Sequence, residues 1–140
     1  MIDNLEFVDT NIFVYAYDTS ENIKRRKAKE IIIRLWESGN GCISLQVMQE
    51  LYVTLTSKLP VPLSREDAIS IVADLEMWKH HVPCAADILH SAKVQDKYGL
   101  SFWDTLIITS ASKMGCSTLW TEDLNSGQTY EGVKAINPFE

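Results

Sequence analysis

Glu6-Phe7-Val8-Asp9 is a short apolar run closed by an acid, and the fold is read outward from it. Phe7 and Val8 favour a strand. The polar run Asp9-Thr10-Asn11 that follows supplies residues that cap or turn a chain. Further along, similar short β-prone runs alternate with stretches whose apolar residues recur at helical spacing. That alternation predicts an α/β domain with a mainly parallel sheet.

From Glu21 to Ser38 the residues Ala28, Ile31, Ile32, Leu35 and Trp36 recur at helical spacing, with Thr19 or Ser20 available to cap the start and Gly39 to end the helix. Cys42-Ile43-Ser44 predicts a second strand. A helix from Gln46 to Ser57 follows, turning Val47, Met48, Leu51 and Leu55 inward. Pro60 and Pro62 mark a loop, and Ser64 caps a helix from Arg65 to Lys79 with Ala68, Ile71, Val72 and Leu75 on one face. His81-Val82-Pro83 is a weaker strand signal. A helix from Ala86 to Tyr98 stops at Gly99. Another, from Phe102 to Met114, is apolar on most sides and is therefore expected to be central. Ser117-Thr118-Leu119-Trp120 and Val133-Lys134-Ala135-Ile136 complete five expected strands.

The chain of 140 residues, 46% hydrophobic, suffices for one core of ordinary size, so a single domain over residues 1–140 is expected. Its start, Met1-Ile2-Asp3-Asn4-Leu5-Glu6, has neither the basic opening nor the apolar run of an export signal, and no stretch is long enough to span a membrane. A soluble, cytoplasmic protein is the expectation. Cys42, Cys84 and Cys116 are odd in number and widely spaced, which reads as three reduced, buried thiols rather than a disulfide framework. His80, His81 and Cys84 lack a converging fourth ligand, so a strand edge beside Pro83 is preferred there to a soft-metal site. Trp36, Trp78, Trp103 and Trp120 offer rings that can stack on other rings, but Trp36 and Trp120 fall in core-periodic segments and aromatic residues serve mainly through burial, so burial is the expectation for all four.

A net charge of -6 excludes a protein that coats nucleic acid by bulk electrostatics, but not an enzyme acting on it. The one dense basic cluster, Lys24, Arg25, Arg26, Lys27 and Lys29, is a solvated face by default. It is also the best available patch for guiding a nucleic-acid backbone.

Four acids carry the functional reading. Asp9 and Asp123 lie just beyond apolar strand runs, and the carboxyl ends of strands in open α/β sheets line the ligand crevice. Each acid also has a purely structural explanation: a cap or turn for Asp9 and Asp123, a capping-box partner of Ser101 for Asp104, and a solvated stripe of Gln46, Glu50, Thr54 and Ser57 for Glu50. Taken together they suit a hard divalent cation, which wants several oxygen ligands from different elements.

The stretches Phe7-Val8-Asp9-Thr10-Asn11-Ile12-Phe13-Val14-Tyr15-Ala16-Tyr17-Asp18, Gln49-Glu50-Leu51-Tyr52, Leu100-Ser101-Phe102-Trp103-Asp104-Thr105-Leu106-Ile107 and Leu119-Trp120-Thr121-Glu122-Asp123-Leu124 resemble the four acidic motifs of the PIN-domain nucleases. The ending from Gly132 to Phe139 is similar to the last strand of the compact bacterial members, many of them VapC-like toxins. The resemblance implies a three-layer α/β/α sandwich, Rossmann-like, with strand order 3-2-1-4-5. It implies that Asp9, Glu50, Asp104 and Asp123 hold Mg²⁺ or Mn²⁺ and cut RNA, with Thr10, Asn11 and Thr121 beside them contacting ligands or substrate. It also implies a homodimer and a VapB-like antitoxin partner. Asn125 departs from the pattern, standing where many relatives carry a further acid, and Glu122 is open between a helper and a solvated turn residue.

Three rival readings are a housekeeping RNA-processing relative, a haloacid-dehalogenase-like phosphatase and an idle binding domain. The phosphatase needs a second acid two residues after the first, where this chain has Asn11. The idle domain is disfavoured by the intact quartet.

Overall fold

The computed structural model describes residues 4–140; Met1-Ile2-Asp3, part of the segment read for the absence of an export signal, lies outside them. Among the described residues there are six helices, which come in pairs between strands, and six strands, the last three consecutive. The first half runs β1 (Glu6–Val8), α1 (Thr10–Tyr17), α2 (Asn22–Ser38), β2 (Gly41–Ser44), α3 (Leu45–Ser57), α4 (Arg65–Leu75) and β3 (Lys79–His81). The second runs α5 (Ala85–Tyr98), α6 (Phe102–Lys113), β4 (Thr118–Trp120), β5 (Thr129–Tyr130) and β6 (Val133–Ile136).

The sheet order is β3-β2-β1-β4-β6-β5. The first five strands in that row are parallel, and β5 adds a two-residue antiparallel edge. The expected 3-2-1-4-5 order holds once β5 is set aside. Helices α1 to α4 pack on one another and α5 packs on α6, with members of both groups touching β2, so the sheet is the middle layer of a three-layer α/β/α sandwich. Phe7, Val8, Ile43 and Leu119 are fully buried between the layers. Among the described residues no helix is long and apolar enough to cross a membrane.

Several expectations need correction. Helix α1 has no counterpart in the reading of the sequence; its run Ile12-Phe13-Val14-Tyr15-Ala16-Tyr17 is nearly all apolar, and such a run shows no helical period. Neither Thr19 nor Ser20 caps α2. The cap position is Glu21, which makes no side-chain cap bond, while Ser20 turns back to Asp18 at 2.6 Å.

Helix α4 stops at Leu75, not Lys79. Met77 and Trp78 donate to the carbonyls of Asp74 and Leu75, tightening the chain into a turn. That turn lays the Trp78 ring over Gly41, where an added Cβ would stand 2.6 Å from it, and lets β3 begin at Lys79. The third strand is therefore shifted from His81-Val82-Pro83 onto Lys79–His81, leaving Pro83, which has no N–H to give, outside the ladder. Cys42 and Cys116 are buried as expected, but Cys84 is exposed, because it occupies the surface cap of α5, where its N–H donates to Asp87. Trp36 is 40% exposed and packs against Trp78 in a T-shaped pair at 5.5 Å.

Candidate functional site

The sheet order reverses direction between β1 and β4, the place where an open parallel sheet leaves a crevice at its carboxyl edge. Asp9 is the first residue after β1, and Asp123 lies three residues after β4. Glu50 reaches the same place from one turn inside α3, whose start is set by Ser44 at the end of β2. Asp104 sits in the first turn of α6. Asp9, Thr10, Asn11, Glu50 and Asp123 line a shared cleft of about 380 Å³ with Glu122. Asp104 does not line that cleft, yet its charge acts on Asp123.

Each small polar residue beside the acids is engaged with one of them. Thr121 Oγ1 donates to Asp9 Oδ2 at 2.8 Å and accepts from the Asp123 N–H. The Thr10 N–H donates to Asp9 Oδ1 at 2.7 Å, making Asp9 the N-cap of α1, while Thr10 Oγ1 donates to Glu50 Oε2 at 3.0 Å. Asn11 Nδ2 donates to Asp123 Oδ2 at 2.9 Å. Asn11 is thereby spent on positioning an acid and, being an amide, offers no acidic proton, which leaves the phosphatase reading without its second acid.

Glu50 is not merely solvated. Gln46, 7% exposed, donates from Nε2 to Glu50 Oε1 at 2.8 Å and to the Trp103 carbonyl. Gln46 was visible in the sequence only as part of a polar stripe. Ser101 caps α6 by accepting from the Asp104 N–H at 3.1 Å, so the helix start rests on the serine and not on the Asp104 carboxylate.

Asp9 is only 6% exposed. Burial dominates its protonation and, helped by the charges of Asp123 and Glu50, pushes its pKa up to about 7 against the hydrogen bonds from Thr121 and Thr10. Asp123 is also raised, first by burial and then by the charge of Asp104, with the Asn11 hydrogen bond opposing. These mutual effects place the quartet in one electrostatic neighbourhood. The carboxylates stand apart, however: among the described residues no three His, Cys, Asp or Glu side chains are gathered closely enough to hold an ion.

The donor set fits a hard cation. The nearby ligating atoms are oxygens, and Asn11 Oδ1 is buried with no hydrogen-bond partner, an uncommitted hard oxygen beside Asp123.

Glu122 proves to be neither idle nor purely solvated. It accepts from the Tyr15 hydroxyl at 2.7 Å and pairs with Lys24 at 3.5 Å, and the Lys24 ammonium lies over the Tyr15 and Phe139 rings. Lys24 is thus committed to the rim of the cleft, so the basic cluster keeps only Arg26, Lys27 and Lys29 as exposed members. Asn125 turns away, with its side-chain amide donating to Gln128.

A PIN domain family model matches residues 7–131, and the chain belongs to that family. No curated protein matches by sequence. Among solved structures the chain is similar to a toxin-antitoxin complex from Klebsiella pneumoniae, with a TM-score of 0.70 and 20% identity over 96% of this chain and 98% of that one. VapBC2 from Rickettsia felis, bound to a DNA fragment from its promoter, gives 0.64 and 19% over 94% and 96%. VapC20 from Mycobacterium tuberculosis, a sarcin-ricin loop cleaving toxin, gives 0.61 and 17% over 81% and 86%. At these identities the likeness speaks for the fold.

Proposed function

We propose that this single-domain chain is a divalent-metal-dependent ribonuclease, a cytoplasmic phosphodiester hydrolase acting as the toxin of a toxin-antitoxin pair. The observation that carries the reading is the convergence of Asp9, Glu50 and Asp123 from three separate elements on the switch-point cleft, with Asp104 near enough to raise Asp123. Asp9, Asp104 and Asp123 would ligate Mg²⁺ or Mn²⁺ directly, and Glu50 directly or through water. When bound, the cation lowers the pKa of water and offsets charge on the phosphate under attack.

The chain's own residues supply positioning. Thr121 and the Thr10 N–H fix both oxygens of Asp9, Asn11 fixes Asp123, and Thr10 with Gln46 fixes Glu50. No histidine lines the cleft among the described residues, and the exposed Glu50, held by two donors, would orient the attacking water.

Family membership supports the nuclease, and the toxin descriptions of two similar structures support the biological role. A VapB-like antitoxin is the expected protein partner: an acid-lined cleft suits an inhibitor carrying Arg, whose fork pairs with a carboxylate in two places. A homodimer is also proposed, on the resemblance and on Ile33, which is 55% exposed on the charged side of α2. Purified protein should cleave RNA with Mg²⁺ or Mn²⁺ and stop in excess chelator; cleavage that continues undiminished in chelator refutes the metal mechanism.

A further inference from the structure

We propose that a row of residues along α3 forms a track for a single RNA strand, with Trp103 stacking a base at one end and Lys58 holding a phosphate at the other. The proposal rests on the ribonuclease reading above. Gln46, Glu50, Thr54 and Lys58 recur at every fourth position, with Lys58 the helical C-cap of α3, so they follow one inclined ridge that winds about a third of the way round the helix, its first member Gln46 buried as an anchor and the other three more open. At about 1.5 Å per residue the line is about 18 Å long, enough for several nucleotides of extended strand.

The middle of the row is the cleft itself, since Glu50, Thr54 and Lys58 line it together with Asp9 and Asp123. At one end, the Gln46 amide bridges Glu50 and the Trp103 carbonyl, which places Trp103 beside the row and next to Asp104. Trp103 is 61% exposed, its ring braced by Phe102 at 5.3 Å and 79°. A large aromatic left open next to candidate metal ligands is a poor use of core material, but its free face suits a base.

At the other end, Lys58 is the one cation among the described residues lining the cleft, and it forms no ion pair there, whereas Lys24 nearby is tied to Glu122. A cation that leaves several carboxylates unpaired around it is available for a phosphate oxygen, which it would hold as a point charge.

The test measures Kd, kcat and KM on single-stranded RNA oligonucleotides of graded length, at several salt concentrations. Trp103→Ala should raise KM and Kd about ten-fold, with Trp103→Phe recovering most of the loss. Lys58→Ala should raise KM and lower the slope of log affinity against log salt by about 0.7, and Lys58→Arg should restore it. Both deficits should shrink as the oligonucleotide becomes too short to reach the ends of the row, which a general folding defect would not produce. If wild type cleaves RNA while folded variants keep its KM and salt slope, the track is overturned and the nuclease stands. The track is equally overturned if the variants change only the oligomeric state, which makes the face a protein contact. If wild type neither binds nor cleaves RNA, both readings fall.

Discussion

Asp9 performs two tasks that oppose each other. It caps α1 as an anion and yet is buried beside two other acids, so its folded pKa stands near 7 against an ordinary value of 3.8. The folded, metal-free chain therefore holds that proton more tightly than the unfolded chain does. Stability should fall as pH rises from about 4 to about 7 and level off beyond, by up to about 4 kcal/mol. Urea unfolding in chelator at pH 5 and pH 8 would show the difference, and Asp9→Asn should flatten it. Added Mg²⁺ should recover more stability at pH 8 than at pH 5, because at the lower pH it must displace the proton; equal recovery would count against Asp9 as a ligand. Asp104→Asn should reduce cleavage by more than about 100-fold while Ser101 still caps α6 and the fold persists. Activity that survives this change would assign Asp104 a purely structural role.

At the scale of elements, β3, α5 and α6 are tied together by one buried acid. Asp87 accepts from Lys113 at 2.8 Å and from the Cys84 N–H, and it contacts His81, whose other ring nitrogen meets Ser110. The Lys113 ammonium and the Cys84 N–H hold its carboxyl well below the usual range. A depressed carboxylate stabilises the fold above its unfolded pKa, and that stability is lost as pH falls toward the folded value. Asp87→Asn should thus cost about 2 kcal/mol at neutral pH, with the gap to wild type closing in strong acid during chemical unfolding. Gly41→Ala should destabilise by about 1–3 kcal/mol, since its methyl would push into Trp78, which is held between Phe13 and Trp36; a thermal melt reads this directly.

Elements with a clear period were legible in the sequence: α2, α3, α5 and α6 agree with their apolar spacing to within a residue or so at each end. Helix α1 was not legible, because its cleft-facing side mixes Thr10 and Asn11 with Val14 and Tyr15 and the rest of its run is apolar, so no clear period shows, and β5 is too short to leave a signal. The acids were individually ambiguous for a physical reason. Asp9 really is a cap and Ser101 really does cap above Asp104, so the structural and functional explanations coexist. Gln46 and Tyr15 became visible only when the fold brought them against Glu50 and Glu122.

For the molecule as a whole, the net charge of -6 gathers partly in one cleft, so ionic strength should act on it in two ways. Salt should relieve repulsion among the acids and also weaken the hold of Lys58 and the α2 cations on RNA. Light scattering across a concentration series is expected to report a dimer, and Ile33→Glu should shift it toward monomer with little change in folding; a strict monomer at all concentrations removes the dimer from the proposal.

The two rims of the sheet bear on how such a dimer can be built. One ends in the two-residue antiparallel β5, the other in the three-residue β3, which carries Lys79, His80 and His81. Strands this short, one of them charged, offer little ladder for another chain to extend. The architecture therefore closes the route of strand addition, by which sheet proteins run on into ribbons and fibrils. It leaves helix-to-helix contact as the way the proposed dimer would form, a contact that buries side chains rather than backbone and that single substitutions can undo.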